Sequence, residues 1–86
     1  MNFGQAIELL KEGGYLQRKG WNGKGMFLLL INGVDVEPSI SKVFGYDGDI
    51  TVAVEDAIYM KTVKGSFIPW LASQADMLAE DWQEVA

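Results

Sequence analysis

Phe3, Ala6, Ile7 and Leu10 recur at the three- and four-residue spacing of a single helical face, and Asn2 followed by Gln5 makes a capping-box start. The pattern predicts a first helix from Phe3 to Glu12, stopped by the left-handed turn that Gly13-Gly14 permits. Tyr15 to Lys19 is short and bounded, as a strand is. Asn22-Gly23 then turns the chain into the apolar run Met26 to Ile31, which predicts a hairpin leading into a buried strand. Asp35 to Lys42 contains Pro38 and two serines and has no clear period, so it predicts an excursion and not a central strand. Tyr46 to Asp49 reads as a turn. Alternation returns over Ile50, Val52 and Val54, and again over Ile58, Met60 and Thr62. Lys64-Gly65 separates this last strand from Ser66-Phe67-Ile68, with Pro69 ending the pairing.

The stretch from Pro69 to Trp82 has its own organisation. Ser73 with Asp76 three residues on is a capping-box-like helix start. Ala75, Leu78, Ala79 and Trp82 would form one apolar stripe on a helix of about two turns, which must dock to persist. Trp82 to Val85 is either a last short strand or a frayed tail. Trp70 and Trp82 are core residues on the reading that pattern alone favours. The other reading places the Trp70 indole beside a helix N-terminus, a cradle for a base and its phosphates. The predicted fold is α+β: one small domain over residues 1–86, an antiparallel sheet of hairpins with an N-terminal helix and a short C-terminal helix.

Composition narrows the function. A hydrophobic fraction of 49% with ten glycines and two prolines is too apolar for disorder and too turn-rich for a helical bundle. A core this small is helped by association, so a homo-oligomer, dimer or tetramer, is expected. The chain has no Cys and no His, which removes thiol and imidazole nucleophile pairs and the commonest zinc arrangements. The residues from Met1 to Gln5 do not start a signal peptide and no apolar run approaches the roughly 18 residues that span a bilayer, so no membrane partner and a cytoplasmic location are expected. A formal charge of −5 opposes binding to polymeric nucleic acid. Between Gly13 and Val34, however, the charged side chains are Arg18, Lys19 and Lys24, with no carboxylate among them.

None of the motifs carries catalysis. Lys19 to Gly25 is glycine-rich, but it lacks the Lys-Ser/Thr helix start of a phosphate loop and the βαβ setting of a dinucleotide fingerprint, and it reads as a hairpin turn. Glu55-Asp56 and Glu80-Asp81 are read as solvated charge, because sequence neighbours usually point apart. Asp47-Gly48-Asp49 lacks the loop and closing Glu of a calcium site. No metal, cofactor or catalytic residue is implied, and the expectation is a protein that is not an enzyme.

Two blocks, Arg18 to Phe27 and Met60 to Thr62 followed by Pro69 to Gln74 and Asp76 to Trp82, closely resemble the Thoeris anti-defense 2 family of phage proteins. The likeness covers nearly the whole chain and departs from the pattern at Asp35 to Asp49 and at Ala57-Ile58-Tyr59. The resemblance implies a small homo-oligomer of α+β fold. It implies a sponge acting in the host bacterial cytoplasm, which sequesters cyclic ADP-ribose-type immune signals, and in some members cyclic dinucleotides, without cleaving them. Carried over by position, Trp21 and Trp70 would be aromatic walls with Phe3 contributing. Asn22, Ser73, Gln74 and Asp76 would read ribose hydroxyls or a base edge, with Lys24 near a phosphate. The rival reading is an acidic interaction protein that inhibits a host defence enzyme directly. A nucleotide hydrolase is the reading with least support.

Overall fold

The computed structural model describes residues 1–21, 24–44 and 53–85. Among these, helix α1 (Phe3–Lys11) is followed by strand β1 (Leu16–Arg18), a 3-10 turn at Lys19–Trp21 and strand β2 (Phe27–Ile31). Helix α2 (Gly33–Phe44), strands β3 (Ala57–Lys61) and β4 (Phe67–Pro69), helix α3 (Gln74–Leu78) and strand β5 (Trp82–Glu84) complete the order. The strands form one antiparallel sheet in the order β4-β3-β2-β1-β5, which is the predicted α+β class. The apolar run at Met26–Ile31 supplies its central strand.

Local chemistry sets the ends of α1 as the sequence predicts. The Asn2 side chain accepts from the Gln5 N–H at 2.8 Å and the Gln5 side chain accepts from the Asn2 N–H at 2.9 Å. At the other end Gly13, at φ 91°, lets its own N–H reach the Leu10 carbonyl and the Gly14 N–H reach that of Leu9. Strand register then builds the core. Leu16 pairs with Leu28 and Leu28 with Met60, so these side chains share the sheet face that α1 covers. Ala6 and Leu10 of α1 pack there with Leu16, Leu28 and Trp82, all buried.

Three expectations are corrected. Asp35 to Lys42 lies within α2, although Pro38 deprives that helix of one hydrogen bond. The half-buried Val36 and Ile40, four residues apart, give α2 a face, and its start is held by Asp56, whose carboxylate accepts from the Gly33 N–H at 2.9 Å. A Cβ at Gly33 would overlap the Val54 carbonyl, so only glycine allows this approach. The predicted strand over Ile50–Val54 lies largely outside the described residues, as does the turn Tyr46–Asp49. Ala53 to Asp56 has no regular structure, and the Val54 N–H donates instead to Glu37 at 3.3 Å.

The third correction concerns the C-terminal helix. It begins at the Ser73 cap as predicted but stops at Leu78, where Ala79 turns to ψ 149°. Ala75 and Leu78 are exposed and no residue of α3 is buried. Trp82 belongs to β5, opposite Arg18 on β1, so the last segment is a strand and the apolar stripe is not a helical one. Edge pairing to β1 outweighs helix extension from Leu78 to Trp82, and it places the Trp82 ring in the buried core.

Candidate functional site

The functional geometry grows from Trp82, which is 2% exposed. Its indole ring lies 5.6 Å from Trp21 and 6.0 Å from Trp70, both edge-on at 82° and 85°, and 5.7 Å from Phe3. Phe3 and Trp70 also meet at 6.2 Å. Edge-to-face packing suits the ring quadrupoles and adds to the burial. The three outer rings come from α1, from the 3-10 turn after β1 and from the segment after β4, and each is only partly buried. Phe3, Trp21 and Trp70, which the family resemblance singles out, are therefore brought into one cluster, with Trp82 as the buried ring they share. Of the two readings of the tryptophans, core describes Trp82, while Trp21 and Trp70 keep surface open to solvent.

Polar groups border the cluster. Ser73 and Gln74 are exposed, three and four residues after Trp70. Lys24 is exposed in the turn where its N–H donates to the Trp21 carbonyl at 3.0 Å. Asn22 lies outside the described residues. Asp76 is already engaged: one carboxylate oxygen accepts from Arg18 at 3.1 Å, and the other accepts from the Ser73 N–H at 3.0 Å and the Ser73 hydroxyl at 2.8 Å. With α3 a single turn long and the Asp76 N–H donating to the Ser73 hydroxyl at 3.1 Å, little helix dipole is left for an anion.

Arg18 and Asp81 are the residues that reading the sequence missed. Arg18 donates from Nε to Asp81 at 3.0 Å and from Nη1 to Asp76, so it is not a free member of a basic patch, and Asp81 is not merely solvated charge. A signal was present: Arg18 follows Leu16 by two residues on a strand, so it shares the core-facing side, where a charge needs partners. Hydrogen bonding to Asp81 holds the guanidinium pKa above its ordinary value, against the opposing effect of burial. For Asp76, burial pushes the carboxyl up, but the Ser73 hydrogen bonds and then Arg18 outweigh it and hold the group below the ordinary carboxylate range. Among the described residues, Lys19 and Lys24 make no ion pair and are the cations left near Trp21.

A cavity of about 260 Å³ opens elsewhere, against α2, lined by Ile31, Val36, Val54, Glu55, Ala57 and Tyr59. Among the described residues its charged liner is the carboxylate Glu55 and none of the expected site residues lines it, an arrangement that does not suit an anionic ligand. Among the described residues no cluster of His, Cys, Asp or Glu could hold a metal, and no helix is long and apolar enough to cross a membrane.

A small α+β domain with an aromatic cluster joining its N-terminal helix to both motif blocks is matched over residues 1–85 by the family model of the Thoeris anti-defense 2-like domain. The chain belongs to that family. It is 40% identical to the protein Thoeris anti-defense 2 of Bacillus phage SP01 over 87 aligned residues, covering 100% of this chain and 96% of that one.

Proposed function

We propose that this chain, like the relative from phage SP01, acts against Thoeris defence, and that it does so as a non-catalytic sponge for cyclic ADP-ribose-type signals. The observation that carries the reading is the gathering of Phe3, Trp21 and Trp70 around Trp82 in a chain that belongs to the family throughout its length. Partly buried indoles offer faces on which a base can stack, a contact worth roughly 1–3 kcal/mol per base in nucleic-acid complexes. Gln74 supplies a donor and an acceptor for ribose hydroxyls, Ser73, whose N–H and hydroxyl already donate to Asp76, can offer only an acceptor, and Lys24 supplies charge for a phosphate. A cyclic dinucleotide, with bases and phosphates of the same kind, is the second ligand class this chemistry suits.

The residue inventory supports sequestration without cleavage. The chain has neither imidazole nor thiol, and the best placed carboxylates, Asp76 and Asp81, are tied to Arg18. The ligand would sit between copies of the chain, since a single copy leaves Leu71 and Leu78 91% and 77% exposed beside the cluster's own segment. The same exposed side chains favour one rival, direct docking of the acidic protein on a host defence enzyme.

One titration separates these readings. Added protein should silence a signal-dependent effector in proportion to its amount, because each site removes one molecule from the free pool. Heating to unfold the protein should then restore both effector activity and intact ligand mass. A hydrolase would leave a cleaved or linearised nucleotide, growing with time at substoichiometric protein. A protein-directed inhibitor would never have depleted the signal.

A further inference from the structure

We propose that Arg18 is a positioning residue that sets the Ser73–Asp76 turn against the Trp21 side of the aromatic cluster. The inference rests on the sponge reading for its ligand, but its geometry stands alone. Backbone pairing fixes β1 to β5 from Leu16 through Arg18, and the Lys19 N–H extends the tie to the Asp81 carbonyl at 3.1 Å. That pairing does not reach α3. The helix is five residues long, buries none of them, and leaves Met77 and Leu78 exposed, so apolar packing of its own side chains does little to place it.

Beside its contact with α1, two polar ties from the rest of the fold hold α3, and both end on Asp76. The Trp82 indole N–H donates to its carbonyl at 3.0 Å, and Arg18 Nη1 donates to its carboxylate at 3.1 Å. The carboxylate in turn closes the Ser73 cap. Arg18 is itself held from a second side, since its Nε donates to Asp81, the residue before Trp82. One planar guanidinium thus spans both ends of the segment running from the helix cap to β5. It does so from the strand that continues directly into the turn carrying Trp21. A lysine keeps the charge but presents a single point of contact and cannot bridge two carboxylates in fixed directions. The fork therefore converts strand pairing, which is rigid, into placement of a helical turn that would otherwise be loose. Rigid placement matters because ordering a loose turn on binding subtracts from affinity.

The decisive variant is Arg18→Lys in the full chain, examined with and without a cyclic ADP-ribose isomer as probe. In the ligand-free protein, amide exchange at Asp76 and Met77 should become roughly tenfold faster while β2 and β3 keep their protection. Affinity for the probe should fall by about tenfold, the cost of ordering the turn at the moment of binding. In an Asp76→Asn background the same substitution should change affinity less than about twofold, because Arg18 acts through that carboxylate. Unchanged exchange at Asp76 and Met77 overturns the proposal, and so do losses that add in the double variant, which would mean that Arg18 touches the ligand itself. If the wild-type chain binds no cyclic ADP-ribose isomer, the sponge reading fails, and the ligand-free exchange still decides the role of Arg18. Should Arg18→Lys not fold, Asp81→Asn frees only the Nε arm and should show the same selective loosening of α3 in smaller measure. Protection of α3 unchanged in Asp81→Asn would overturn the proposal in that case.

Discussion

The indole N–H of Trp82 donates to the main-chain carbonyl of Asp76 at 3.0 Å, so the most buried aromatic ring of the core also holds the turn that bears Ser73 and Gln74. Core and candidate site share one side chain. Trp82→Ala should therefore cost about 3–5 kcal/mol, the usual range for truncating a large buried aromatic side chain. That is a large part of the total stability of a domain this size. Trp82→Phe keeps most of the packing but leaves the Asp76 carbonyl only the longer bond from the Ala79 N–H at 3.4 Å, for about 0.5–1.5 kcal/mol. Urea unfolding of both variants gives the comparison. A Trp82→Phe variant as stable as the wild type would show that the hydrogen bond contributes nothing.

Trp21 and Trp70 pack on Trp82 edge-on and retain solvent-accessible surface. Trp21→Ala and Trp70→Ala should each weaken binding of a cyclic ADP-ribose isomer by about 1–3 kcal/mol. Titration calorimetry alongside far-UV circular dichroism reads binding and fold together. A variant that unfolds and is not rescued by ligand would assign its tryptophan to the core alone.

Asp76 sets a pH dependence with a definite sign. Because the folded carboxyl is held below the ordinary range, its contribution to stability is fully present above the unfolded value of about 3.9 and is lost as pH falls through the lower folded value. Stability of the wild type should fall in acid more steeply than that of Asp76→Asn, which lacks this component. Unfolding midpoints collected from neutral pH into the acid limb test this, and parallel curves would remove Asp76 from the account.

Leu71 at 91% and Leu78 at 77% exposure contribute almost nothing to a single chain. Replacing both by Asp should move monomer stability by less than about 1 kcal/mol, as for surface sites generally. Any larger effect reports assembly. The wild type should scatter light as a dimer or tetramer at micromolar concentration, with a melting midpoint that rises with protein concentration. The double variant should shift toward monomer. A wild-type monomer that still binds ligand would end the shared-site reading.

The two helix starts and the first helix stop were legible from sequence, because caps are made by side chains three residues apart and by a glycine at positive φ, all local relations. The central strand was legible too, since an unbroken apolar run admits few other placements. The Asp35 to Lys42 stretch was not. Pro38 and two serines argue against a helix locally, and the contacts that hold α2, between Asp56 and Gly33 and between Glu37 and Val54, join residues 23 and 17 positions apart. The tertiary structure also decided the fate of Trp82. A helical stripe and an edge strand use the same residues, and only the vacancy beside β1 selects the strand. The aromatic residues of the candidate site could be named from the motif blocks, but their meeting on one ring could not. That meeting depends on where α1, β1 and β5 bring Phe3, Trp21 and Trp82, and the pairing of Arg18 with Asp76 and Asp81 spans 58 and 63 residues. Spacing along a chain carries no information about partners so distant; the register of β1 with β5 does.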